Sequence, residues 1–346
     1  MKLSLTLTYS GNPVDAAAQI ADLEKAGLDR VWLAEAYSFD APTLLGYLAA
    51  KTETVEIAAG ILNIYSRTPG LLAMTAAGLD NVSGGRAVLG LGASGPQVIE
   101  GFHGVPYDKP IARTSEIIDI VRMALRREPL QSDGLVKLPL TKEHGAVTGL
   151  GKPLKLLNRD VRPDIPIFLA ALGVKNVELA AEKADGWLPI LFAPEKAKGV
   201  WGDALAAGNA RRDASLQPLQ VSAGGMCAIG EGPDTKALLD FARPHVALYV
   251  GGMGARGKNF YNTLVTNYGF EAEAKKIQDL YLDGKKDEAA AAVPQELLEM
   301  VNLVGPASYV EERIAAFREA GVTDLQIVPA AEDPVALVSQ MKELIG

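Results

Sequence analysis

Glu35, Tyr37 and His103 are the side chains whose type and position best suit proton transfer. Glu35 and Tyr37 close the run Val31-Trp32-Leu33-Ala34-Glu35-Ala36-Tyr37, and His103 sits in Glu100-Gly101-Phe102-His103-Gly104. A carboxylate at a strand end can accept a hydrogen bond from a cofactor or act as acid or base. The plainer alternatives are a salt-bridged Glu and a packed or surface His. Arg67 and Arg113 either hold an anion or are simply solvated charges. Cys227 lies in an apolar strand pattern and reads as a small buried residue. It has no Cys or His partner at ligand spacing, and His103, His144 and His245 are scattered, so no metal site is expected.

Three glycine-containing segments suggest contact with a phosphate or a flat ring. Gly90-Leu91-Gly92-Ala93-Ser94-Gly95 matches G-x-G-x-x-G. A dinucleotide fold needs a helix at once and an acid at the next strand end, about 20 residues on. Pro96, Gly101, Gly104 and Pro106 delay a regular helix here, and Glu116 and Asp119 fall inside one. The segment reads better as a loop that lets a ring or phosphate approach the backbone. Gly252 to Asn259 is a near miss to a phosphate loop, because Asn259 lacks the hydroxyl that holds magnesium. Leu172-Gly173-Val174-Lys175-Asn176 joins a strand to a helix, whose first N–H groups suit a phosphate. An ordinary tight loop is the alternative.

Elements that position these residues follow from the hydrophobic rhythm. Strand patterns cover 3–8, 30–35, 55–61, 87–92, 165–171, 186–190, 220–229 and 324–329, each followed by a helical pattern. Continuous apolar runs suit buried parallel strands. The expectation is an α/β fold, a (β/α)8 TIM barrel over 1–346 with insertions at about 129–163 and 233–306. A doubly wound sheet is the competitor. In a barrel the site lies at the C-terminal strand ends. That places Tyr9, Ser10, Glu35, Tyr37, 60–67, 92–97, 170–176 and Leu191-Phe192 around it.

Composition narrows the function. Apolar residues are 48% and charged residues 22%, proportions of a globular chain rather than a disordered one. Thirty-four Lys and Arg against 42 Asp and Glu leave a net charge of −8, which excludes a general nucleic-acid binder. No apolar run reaches about 18 residues, so no membrane helix is expected. The strand pattern beginning at Lys2 leaves no room for a signal peptide, and a cytoplasmic location is expected.

Several segments together resemble the luciferase-like superfamily, within it the coenzyme F-420-dependent oxidoreductases. They are 31–37, Gly60-Ile61-Leu62-Asn63-Ile64-Tyr65-Ser66-Arg67-Thr68-Pro69, Ser83-Gly84-Gly85-Arg86 leading into Gly90-Leu91-Gly92, Ile167 to Gly173, and Ala184-Asp185-Gly186-Trp187. The resemblance implies a barrel whose mouth holds the deazaflavin coenzyme F-420 and moves a hydride to or from a small organic substrate. By that resemblance Glu35 and Asn63 orient the ring, and a cis bond at Gly60–Ile61 stands behind it. Gly92, Ala93 and Ser94 line the ring region, and Leu172, Gly173 and Val174 meet the phosphate. A homodimer is also implied. The sugar-phosphate dehydrogenases of this branch carry Asp-His where this chain has Glu35-Ala36, which leaves Tyr37 and His103 to replace the His in proton transfer. An anionic coenzyme tail would need a basic rim, for which Arg67, Arg113, Arg256 and Lys258 are available. The alternatives are an FMN-dependent luciferase-like monooxygenase and a non-catalytic flavin- or deazaflavin-binding protein.

Overall fold

The computed structural model describes residues 1–7 and 12–346. Tyr9 and Ser10 lie outside the described residues. Eight parallel strands recur among the described residues: β1 (Lys2–Leu7), β2 (Arg30–Leu33), β3 (Glu56–Ala59), β4 (Ala87–Gly92), β5 (Ile167–Ala170), β6 (Gly186–Leu188), β7 (Gln220–Ile229) and β8 (Asp324–Pro329). Leu5 of β1 pairs with Val31 on one side and Ile327 on the other, while β7 pairs with β6 and β8. The ring is therefore closed, and a (β/α)8 barrel replaces the open doubly wound alternative.

Alternate residues along each strand face the barrel interior. Trp32, Ala58, Val88 and Phe168 form one buried layer, with the Trp32 and Phe168 rings edge to face at 5.1 Å. Below them the Arg30 guanidinium lies 5.1 and 4.9 Å from these two ring centres. It pairs with Glu56 and Asp324, each at 2.6 Å, and Ser222 Oγ donates to Asp324 at 2.7 Å. Charge and aromatic volume thus plug the N-terminal end. A ligand must enter from the other end.

The outer helices are α1 (Pro13–Lys25), α2 (Ala41–Lys51), α3 (Pro69–Val82), α4 (Pro110–Leu125), α5 (Val174–Lys183), α6 (Pro194–Asn209), α7 (Ala307–Glu319) and α8 (Pro334–Ile345). Asp40 and Thr68 accept N–H bonds at the starts of α2 and α3. Ser83-Gly84-Gly85-Arg86 turns from α3 into β4, with φ of 67° at Gly84 and 90° at Gly85, where glycine carries no steric penalty. Arg86 then donates to the carbonyls of Ala49, Thr52, Val55 and Ser83, tying the α2–β3 connection to the α3–β4 turn.

Three local features differ from the sequence reading. The 55–61 run is interrupted: β3 ends at Ala59 and pairing resumes at Leu62–Asn63 against β4, while the Gly60–Ile61 bond between them is cis, as the family resemblance implied. A short helix, Pro96–Gly101, follows β4 directly, started by Gly95-Pro96. The second insertion is helical from Pro233 to Val301 but ends in a further strand, Leu303–Gly305, paired in parallel with the end of β7. Asn302 sets that register by accepting from Met226 N–H at 2.7 Å. The first insertion folds a small hairpin, Ser132–Asp133 with Lys137–Leu138, clamped by Glu116 of α4.

Candidate active site

The mouth is shaped first by the break in β3. A Cβ built at Gly90 would meet the Ala59 carbonyl oxygen at 1.9 Å, and one at Gly92 would meet Ile61 Cδ1 at 2.9 Å. The G-x-G of β4 therefore admits the neighbouring strand's bulge. The space at Gly92 that the sequence reading left for a ring is occupied by Ile61, which is itself partly exposed at the mouth. Gly60 sits directly on Trp32, so the bulge is supported by the barrel's aromatic layer. Ala93 packs on the core, Ser94 adopts a φ of 56°, and Gly95 has open space around it.

Glu35 is committed to a clamp. Its carboxylate accepts from Arg67 at 2.5 and 2.9 Å and from the Ala41 N–H at 2.9 Å. Arg67 also donates to Asp40 at 2.6 Å. Burial alone would lower the Arg67 pKa, but the Glu35 and Asp40 carboxylates outweigh it and raise it. Two residues read separately in the sequence thus bind each other and join the loops after β2 and β3. The rest of the proposed basic rim is largely neutralised. Arg113 pairs with Asp108 at 2.7 Å and Arg256 with Asp279 at 2.9 Å, while Lys258 makes no ion pair among the described residues.

Asn63 and His103 come together. Asn63 is 6% exposed; its Oδ1 accepts from the N–H groups of Tyr65 at 3.1 Å and Ser66 at 2.7 Å. Its Nδ2 lies 3.3 Å from His103 Nε2. Phe102 stands perpendicular to His103 at 5.2 Å and itself packs on Tyr37 at 6.1 Å, so one exposed ring flanks the imidazole and a second backs that ring. Tyr107, absent from the sequence candidates, donates to the Ser94 carbonyl at 3.3 Å and packs on Tyr65. Burial, helped by Tyr65, pushes its phenol up to about 12, so it remains a neutral donor near pH 7. Its only sequence signal was an aromatic ring within a Gly- and Pro-rich loop.

The β5–α5 loop has the features of an anion seat. Trp187 and Trp201 donate their indole N–H groups to the carbonyls of Ala171 at 2.9 Å and Leu172 at 2.8 Å. These bonds hold the loop's acceptors inward. Gly173 caps α5 without any side-chain bond, and the first helical N–H groups have no intrahelical acceptor. A Cβ at Gly173 would meet only Phe260, at 3.9 Å, so the approach is open. Asn176 Oδ1 is buried without a donor, which suits a hydroxyl-bearing ligand chain. Phe260 comes from the second insertion, as does Tyr268, whose hydroxyl donates to the Leu191 carbonyl at 2.9 Å. That insertion is therefore anchored on the mouth. The loop from Leu172 to Val174, the partly exposed surface of Ile61 and the exposed aromatic groups are groups of a kind that would suit a flat ring carrying a hydroxylated, anionic tail. Cys227 is fully buried and its thiol is pushed up to about 12 by burial, which removes it as a nucleophile. Among the described residues no His, Cys, Asp and Glu cluster could hold a metal, and no helix is long and apolar enough to cross a membrane.

Comparison with known proteins gives the family and agrees with the barrel fold. The luciferase-like monooxygenase family matches residues 2–324. A Mycobacterium tuberculosis protein provisionally named a coenzyme F-420-dependent oxidoreductase is 41% identical over 341 residues, 97% of each chain. The 5,10-methylenetetrahydromethanopterin reductase of Archaeoglobus fulgidus is 28% identical over 308 residues, covering 87% of this chain and 85% of the relative. Among solved structures, the coenzyme F-420-dependent tetrahydromethanopterin reductase of Methanopyrus kandleri superposes with a TM-score of 0.79 at 21% identity, covering 99% of this chain and 98% of the other.

Proposed function

The chain belongs to the luciferase-like monooxygenase family, and from that premise we propose that it is a coenzyme F-420-dependent oxidoreductase acting on a small organic substrate. The observation that carries this reading is the open, uncapped start of α5 at Gly173, pinned from below by two indoles and roofed by Phe260. Leu172, Gly173 and Val174 would hold the phosphate through backbone N–H groups. Ile61 would face the ring, and Asn176 would accept from a hydroxyl of the linking chain. When bound, the deazaflavin supplies a carbon that gives or takes a hydride. The protein's part is to fix the ring, exclude water and orient the substrate. Glu35 acts on this site through Arg67, by holding two mouth loops together. Replacing Gly173 by Leu fills the approach to the helix start. It is expected to weaken F-420 binding at least tenfold in a fluorescence titration while leaving the circular dichroism unchanged. Unchanged affinity would remove the phosphate seat from this loop.

A homodimer is part of the same proposal. Only Lys51 and Asp80 are charged in the whole of α2 and α3, and Asp80 is buried against Arg162. The outer stripe of α3 exposes Leu71, Met74 and Val82 beside Tyr47 of α2. An uncharged face on an acidic protein is where a second copy can approach without repulsion.

A further inference from the structure

We infer that His103 is held as the neutral Nδ1–H tautomer and offers that N–H as a fixed hydrogen-bond donor to the substrate. This rests on the oxidoreductase reading for what the donor serves, but not for the tautomer itself. Three observations fix the proton. First, the Asn63 amide has one permitted orientation. Its Oδ1 accepts from two backbone N–H groups, of Tyr65 and Ser66, and turning the amide over would set its NH2 against both. Second, its Nδ2 is therefore the donor in the 3.3 Å contact with His103 Nε2, so Nε2 must be the unprotonated nitrogen. Third, Nδ1 has no bond within the described residues and is not among the buried unpartnered atoms. It opens onto solvent at the mouth, where the exposed Phe102 ring stands against the imidazole.

A proton on Nε2 would place N–H against N–H and lose the Asn63 bond. Asn63 has no proton to relay. His103 is thus unsuited to the shuttle that a strand-two His would perform, and suited to the role of a neutral imidazole that polarises an acceptor. The substrate class follows. The substrate presents a lone pair on a heteroatom attached to, or conjugated with, the reacting carbon, as a ketone, imine or enone does. In the reduction, hydride from the reduced deazaflavin adds to that carbon, and the π pair moves to the heteroatom (or, for an enone, through to the oxygen). His103 N–H binds the developing negative charge, and a water proton completes the new bond. The substrate gains two electrons and the deazaflavin loses two.

Two-bond proton–nitrogen NMR of the unliganded protein reads the tautomer directly. The chain has only three histidines, so the signals missing in His103→Asn identify this ring. The expected pattern at pH 7 is a protonated Nδ1 and a bare Nε2, with tautomer exchange appearing in Asn63→Ala. A protonated Nε2 or an imidazolium overturns the inference. In steady-state reduction, His103→Leu is expected to lower kcat/KM about 10²–10³-fold, the size seen for one donor to a developing oxyanion. His103→Asn, which keeps an N–H near the Nδ1 position, recovers at least tenfold of that loss, and His103→Gln does not. Equal loss in all three variants, with F-420 affinity unchanged, overturns the donor role. Failure of the wild-type protein to bind F-420 overturns the cofactor reading instead and leaves the NMR result standing.

Discussion

At the scale of single residues, the site is assembled from pairs that lie far apart in the chain. Glu35 and Arg67 are 32 positions apart and almost fully buried against each other. Arg67→Met would strand the Glu35 charge with a single N–H donor. It is expected to destabilise the fold by about 3 kcal/mol in urea at pH 7, because a buried ion left alone loses far more than the pair gains. A loss below about 0.5 kcal/mol would mean that the clamp is solvated. Glycines behave differently. Gly90 and Gly92 were recognisable as a glycine signature, yet their purpose was hidden, because the atom they make room for belongs to the neighbouring strand. Gly90→Ala drives a methyl into the Ala59 carbonyl. It is expected to cost at least about 1–3 kcal/mol and to lower Tm by several degrees. A neutral Gly90→Ala would contradict the packing of the bulge. Glu35, Tyr37 and Asn63 were legible from their place at strand ends, with Asn63's role supplied by the family resemblance, and His103 was legible only as a lone histidine in a loop. Tyr107, Phe260 and the two indole anchors were not, since only the folded chain brings them to the mouth.

At the scale of elements, the regular rhythm was readable because the strands are short apolar runs, alternating in β1 and nearly continuous in β4 and β5, and the helices repeat near 3.6. The failures fall where that logic breaks. Leu303–Gly305 is too short to show a period, and it forms a strand because Asn302 and the end of β7 dictate its pairing. At Gly60–Ile61 the apolar run carries no polar sign that the strand is interrupted, and it was the family resemblance that placed the cis bond there. The α2–α3 face makes the opposite point: a helix apolar all round signals burial on both sides. Met74, 59% exposed, and Val82, 63% exposed, lie on a side that none of the described residues covers. Met74→Glu together with Val82→Glu is expected to halve the sedimenting mass. A dimer that survives both charges would place the interface elsewhere.

At the scale of the whole molecule, a charged floor and an open aromatic mouth divide stability from chemistry. Burial would raise the Glu56 pKa, but Arg30 first and Lys2 next hold it below the ordinary 4.5. A carboxylate depressed on folding stabilises the protein above its unfolded pKa, and that stabilisation is lost as pH falls through the folded value. Wild-type protein should therefore exceed Glu56→Gln in stability at about pH 6 and lose that margin by about pH 3. A margin independent of pH would show that Glu56 contributes packing rather than charge. The mouth carries the functional claim. Of the four cations proposed for its rim, Arg67, Arg113 and Arg256 already neutralise carboxylates of the chain itself. The proposed anchor for an anionic cofactor is accordingly the backbone at Gly173 rather than a basic patch. Parallel fluorescence titrations of the purified protein with coenzyme F-420 and with FMN test this most directly. The account predicts saturable F-420 binding in the micromolar range or tighter, at least tenfold stronger than FMN and weakened by Gly173→Leu. Micromolar FMN binding with no binding of F-420 would contradict it.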